Sequence, residues 1–178
     1  MIADSSSLIV FGKLNNVDIL LRLFKNIEIP EAVCQEAILD GFEKKFEDSL
    51  ILRSYLDNGK IKIVKLDKKY SELADKLQDI NNLGHGESQA IALAKQLNRK
   101  ELIIDESLAR ETAKSLVLTP IGSLKVLLLA YKENLLDEKD IKEIINKMIK
   151  LRFRISAATL IRFWELFEKM KRYSKPQE

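Results

Sequence analysis

Four carboxylates, Asp4, Glu36, Glu87 and Asp105, are the residues best placed to do chemistry in this chain. Asp4 ends the apolar start Met1-Ile2-Ala3 and precedes Ser5-Ser6-Ser7, and Asp105 ends the run Leu102-Ile103-Ile104. Glu87 falls in the first turn after the breaker Gly84-His85-Gly86. If those apolar runs are strands of an open α/β sheet, the acids gather beyond the strands' carboxyl ends, where such folds bind ligands. Acids collected there repel one another by roughly 3 kcal/mol per pair at about 5 Å and an effective dielectric of ~20. A cation between them removes that cost. Carboxylate oxygens are hard donors, suited to Mg²⁺ or Mn²⁺ and poorly suited to zinc or copper.

Other chemistries fare worse. His85 and Cys34 are the only residues of their types, which disfavours cysteine–histidine zinc sites and Ser-His-Asp or Cys-His catalysis. A single cysteine excludes an internal disulfide and suits a reducing cytoplasm. No stretch approaches the ~20 apolar residues of a membrane span, and the start lacks the pattern of a secretory signal. Each acid also has a structural alternative. Asp4 and Asp105 could cap helices, and the helix dipole favours Glu87 where it stands. Glu36 is ordinary if its helix face is exposed and needs a partner if that face is inward.

The elements that must position these acids alternate along 178 residues, enough for one domain with a real core. Strands are expected at Ile2–Asp4, Ile27–Ile29, Ile61–Val64, Glu101–Ile104 and Leu116–Leu118, with Thr119-Pro120-Ile121-Gly122 as a turn. Helices are expected after the first strand (Leu8, Ile9, Phe11 and Leu14 inward), over Val17–Phe24, and from Pro30 to a stop at Gly41. Further helices span Phe46–Leu56 with Gly59 as a left-handed cap, Tyr70–Ile80, Glu87–Leu97, Ser107–Lys114 and Leu124–Ala130. Two terminal helices follow, about Asp137–Lys150 and Ser156–Met170, the last capped by Ser156. This alternation predicts a three-layer α/β/α sandwich around a mostly parallel sheet of about five short strands. The chain reads as a single domain over 1–178, with the two C-terminal helices (about 137–172) packed on or extending the core. Charge is uneven: from Lys142 onward there are ten Lys/Arg against four Asp/Glu, with 20 basic and 23 acidic residues before. A basic tail on an acidic body attracts polyanions, or is simply a solvated helical surface.

Four blocks carry a family resemblance: Ala3-Asp4-Ser5-Ser6, Pro30-Glu31-Ala32-Val33-Cys34-Gln35-Glu36, Leu83-Gly84-His85-Gly86-Glu87-Ser88-Gln89-Ala90, and Ile103-Ile104-Asp105-Glu106-Ser107-Leu108-Ala109-Arg110. In their order and spacing they resemble the PIN-domain family. Gly122-Ser123-Leu124-Lys125-Val126-Leu127 and Phe153-Arg154-Ile155-Ser156 are similar to its subgroup of predicted nucleic-acid-binding proteins. The resemblance implies a Mg²⁺- or Mn²⁺-dependent endoribonuclease leaving 5′-phosphate and 3′-hydroxyl ends, often the toxin of a toxin–antitoxin pair. It places the family's four acids at Asp4, Glu36, Glu87 and Asp105. Glu106 stands where the subgroup often has a second aspartate, and Ser123 is a loose counterpart of the family's small hydroxyl position.

With that chemistry, Asp4, Glu87 and Asp105 are expected to hold metal, and Glu36 a second metal or the attacking water. Ser5 and Ser6 are auxiliary candidates for binding metal-bound water, and Arg110, Arg152 and Arg154 for contacting nucleic acid. The expected partners are an RNA substrate, with an antitoxin protein and a homodimer both open. A haloacid-dehalogenase-like phosphatase needs Asp-x-Asp, but Ser6 holds the second position; a phospho-receiver domain wants an acidic pair and a late lysine. The competing non-enzymatic reading is a PIN-like RNA-binding or protein-interaction module.

Overall fold

The computed structural model describes residues 1–44 and 46–174, which divide into two compact units, one spanning Met1–Ser123 and the other beginning at Leu124. The first unit contains every described strand: β1 (Ile2–Ala3), β2 (Ile27–Ile29), β3 (Ile61–Ile63), β4 (Glu101–Ile103) and β5 (Thr119–Ile121). All pair in parallel in the order β3-β2-β1-β4-β5. With its helices, this sheet is the expected α/β/α sandwich. Parallel strands buried on both faces should be continuously apolar, and Ile2, Ala3, Ile27, Ile29, Leu102 and Ile103 are all fully buried.

The helices of this unit are α1 (Ser5–Lys13), α2 (Val17–Phe24), α3 (Glu31–Cys34), a π turn (Gln35–Leu39), α4 (Asp40–Glu43), α5 (Glu47–Asp57), α6 (Lys68–Asn81), α7 (His85–Gln96) and α8 (Ser107–Ser115). Helix α7 lies against β1 and β4 and also touches α3, α6 and α8. That surrounds its middle, and Ala90 to Ala94 are fully buried.

Four expectations need correction. The fifth strand is Thr119–Ile121, not Leu116–Leu118. Leu116 caps α8 and Val117 takes a left-handed φ of 62°, so the strand starts two residues later, where Thr119 N–H donates to Lys100 O at 2.7 Å. Pro120, expected in a turn, sits inside this strand level with Leu102; an edge strand tolerates it because one side needs no donor. Gly41 does not stop a helix. It lies buried within α4, where an added Cβ would meet Ser49 Cβ at 2.8 Å, so its role is close packing. Helix α7 begins at His85 rather than Glu87, so His85 is helical and touches Gln78 and Gln89. Gly59, with φ 69°, follows α5 as expected.

The second unit holds most of α9 (Ser123–Lys132) with α10 (Glu138–Lys150) and α11 (Ala157–Ser174). Asp137 and Asp140 cap α10 reciprocally, and Ser156 Oγ accepts from Thr159 N–H at the start of α11. Phe163 and Phe167 are buried, with Trp164 edge-on to both and Tyr131 of α9 4.6 Å from the Phe167 ring. These aromatics dock helices on one another. Among the described residues no helix is long and apolar enough to cross a membrane.

Candidate metal centre

Strand β1 is central, and the chain leaves it for β2 on one side while β4 flanks the other. This is a topological switch point, where a crevice opens beyond the strand ends. Asp4 directly follows β1. Its N–H donates to Ile103 O at 3.0 Å, which carries the parallel register one step past the strand. Asp105 lies two residues beyond β4. Both aspartates therefore emerge on neighbouring strands at the same end of the sheet.

Asp4 is fully buried and caps α1, accepting from Ser7 N–H at Oδ1 (2.9 Å) and from Ser6 Oγ at Oδ2 (2.9 Å). The capping alternative is thus realised for Asp4. For Asp105 it is not, because Glu106 caps α8, its Oε2 accepting from Leu108 and Ala109 N–H. Asp105 is free for another task. Its Oδ2 accepts from Ser7 Oγ at 3.0 Å and Ser123 Oγ at 2.5 Å, and its Oδ1 from Ser123 N–H at 2.7 Å. Ser7 links the two aspartates, its N–H on one and its hydroxyl on the other.

Burial first, then the charge of Asp105, pushes the Asp4 carboxyl up to about 7, against the lowering effect of its serine hydrogen bonds. A second acidic group adjoins the pair. Glu36 lies in the π turn, with Ser5 Oγ donating to Oε2 and Gly86 N–H to Oε1 at 3.0 Å. A Cβ on Gly86 would overlap both Ser5 Oγ and the Glu36 carboxylate, so only glycine admits this approach. Glu87 Oε2 accepts from Gly84 N–H at 3.0 Å. Burial raises the Glu87 pKa, and the Glu106 and Glu36 charges add to the rise against that hydrogen bond.

The five acids thus occupy one end of the sheet. Among the described residues, however, no three His, Cys, Asp or Glu side chains stand close enough to share one ion. The donor set nonetheless fits Mg²⁺ or Mn²⁺. Mg²⁺ commonly binds through one or two carboxylates and keeps several waters. An ionised carboxylate offers about four lone-pair sites; serine and backbone donors use two on Asp4 and three on Asp105. A fully buried acid held against another acid is the electrostatic situation a divalent cation relieves.

Three arginines are the candidates for contacting nucleic acid. Among the described residues Arg110 makes no ion pair; its Nη1 donates to Ile104 O at 3.1 Å, beside Gly122, where a Cβ would lie 2.9 Å from that nitrogen. Arg152 and Arg154 are exposed between α10 and α11. Ser7, unmarked as a site residue by the sequence pattern, is the central bridge. Its signal is the Ser5-Ser6-Ser7 run, of which the third serine donates its N–H to the N-cap Asp4 and its hydroxyl to Asp105.

An acidic, oxygen-donor centre at the switch point of an all-parallel sheet defines a class of α/β domains built for cations and phosphorylated ligands. Within that class, the profile of the PIN domain matches residues 1–169, and the chain belongs to the PIN-domain family. Its members are generally nucleases and generally use divalent metal ions. No curated protein and no solved structure matches the chain at a significant level.

Proposed function

We propose that this PIN domain is a Mg²⁺- or Mn²⁺-dependent endoribonuclease. The observation that carries the reading is the Asp4–Ser7–Asp105–Ser123 chain at the switch point, a buried aspartate beside a half-buried one with serine donors already in place. Asp4 and Asp105 would hold the ion, with Glu87 and Glu36 beside them. An ion held by these carboxylates would supply Lewis acidity, lowering the pKa of a water and offsetting charge on a phosphodiester oxygen.

The chain's own residues do the rest. Ser7 and Ser123 fix the Asp105 carboxylate, leaving one lone-pair site free. Ser5 and Gly86 engage both Glu36 oxygens, so that carboxylate is oriented before substrate arrives. Glu87 keeps Oε1 free of the Gly84 contact and has a raised pKa, which suits it to accept a proton from an attacking water. Arg152 and Arg154 extend the proposal to RNA backbone contact, and family likeness extends it to control by an antitoxin protein.

The test is cleavage of a mixed RNA pool by purified protein with Mn²⁺ or with chelator. Cleavage should need the ion and fall at least about 100-fold in Asp4→Asn and Asp105→Asn, with circular dichroism unchanged. The separation of the acids into a pair and a trio supports a second reading, a non-catalytic RNA-binding module. Metal-independent RNA binding without cleavage would establish that one instead.

A further inference from the structure

We propose that an open depression at the amino-terminal ends of the strands binds a nucleoside monophosphate. Asn26 precedes β2 there, Glu101 opens β4 and Thr119 opens β5. The volume is about 640 Å³, within the ~300–1,000 Å³ usual for small-ligand sites. The acids of the metal centre lie beyond the other end of the sheet, so occupancy here does not depend on the nuclease reading.

The rim is basic and its cations are under-used. Lys25, Arg99 and Lys100 stand against Glu28 and Glu101. Arg99 Nη2 reaches both Glu28 oxygens, but at 3.3 and 3.4 Å, longer than the ~2.7–2.9 Å of a strong charge-assisted bond. Among the described residues Lys25 and Lys100 make no ion pair, and Arg99 Nε and Nη1 have no acceptor. A guanidinium with spare donors and two unpaired ammonium groups suit a phosphate monoester. Phosphate alone is too small for this volume. Half-buried Phe24 supplies an apolar wall on which a base can stack, and the Asn26 amide can read the base edge.

The backbone points the same way. Lys25 has φ 67° and ψ −56°, and Asn26 N–H donates to Phe24 O at 2.8 Å, which is the strained form of γ-turn. Glycine takes a positive φ without steric cost, yet a lysine stands here. Outliers of this kind cluster at ligand clamps. The surrounding chain is fixed in advance, with Asn26 O accepting from Met1 N at 3.0 Å and Lys100 O from Thr119 N–H at 2.7 Å.

The test is isothermal titration calorimetry on the full chain with adenosine, guanosine, cytidine and uridine 5′-monophosphates. Chelator in the buffer prevents an ion from bridging ligand to the acidic centre. At least one nucleotide should bind with a dissociation constant below about 1 mM. Its nucleoside and inorganic phosphate should each bind at least about tenfold more weakly, since each lacks half of the contacts. Arg99→Ala and Lys100→Ala should each weaken binding at least about threefold. Lys25→Gly should weaken it similarly while the melting temperature stays at or above wild type, because glycine relieves the turn. No nucleotide binding below about 1 mM would overturn the proposal. So would a nucleoside or phosphate that binds as well as the nucleotide, or an affinity unchanged in Lys25→Gly.

Discussion

With Asp105 close by and no surface of its own, Asp4 binds a proton more tightly in the folded than in the unfolded chain, about 7 against 3.8. The metal-free protein therefore has its full stability from this group below about pH 4 and loses it as pH rises toward 7, at up to about 1.4 kcal/mol per unit. Urea unfolding in chelator should show that decline, Asp4→Asn should flatten it, and Mg²⁺ should raise stability more at pH 8 than at pH 5. A wild-type curve that climbs between pH 4 and 7 would contradict a buried Asp4 held beside Asp105. The acids themselves were legible because three of the four mark the edge of an apolar or glycine-broken segment. Ser7 was not, since three consecutive serines look alike until the helix phase turns one toward Asp105. Glu106 shows the reverse case, an acid next to the site whose oxygen is taken up by helix capping.

At the scale of elements, glycine and proline misled where packing overrode local preference. Gly41 reads as a helix stop, yet the chain stays helical through it because Ser49 of α5 presses on its open side. Gly41→Ala should lower stability by about 1–3 kcal/mol, as overpacking does, and leave cleavage unchanged. Leu116-Val117-Leu118 is more apolar than Thr119-Pro120-Ile121, so the pattern alone favours the wrong segment as the fifth strand. Register decided it, with Ile103 level with Ile121. The π turn of Gln35–Leu39 left no mark in the pattern, although such turns frequently occur at functional sites. It carries Glu36. Gly86→Ala should weaken cleavage through this element, since its Cβ would displace the Glu36 carboxylate; a melt and a cleavage assay on one preparation would show activity falling with little loss of fold.

For the molecule as a whole, the alternation of strands and helices announced the sandwich, and the family likeness was readable from four short blocks. What the pattern could not show was the division near Ser123, because α9 crosses it without a break in helical periodicity. Charge is distributed on that larger scale too. If the basic C-terminal region meets RNA, affinity should fall steeply between about 50 and 200 mM salt, and Arg152→Ala with Arg154→Ala should make the slope shallower by roughly two contacts. Filter binding across salt concentrations would measure both.

Pro120 has a consequence for solubility. An outer strand with free amide hydrogens invites an intruding peptide or a neighbouring copy to extend the sheet, the first step toward fibrous aggregates. On β5 the proline removes one amide donor, and on the opposite margin the charged Lys62 interrupts Ile61 and Ile63. With both margins only three residues long, the native sheet is poorly suited to templating its own growth.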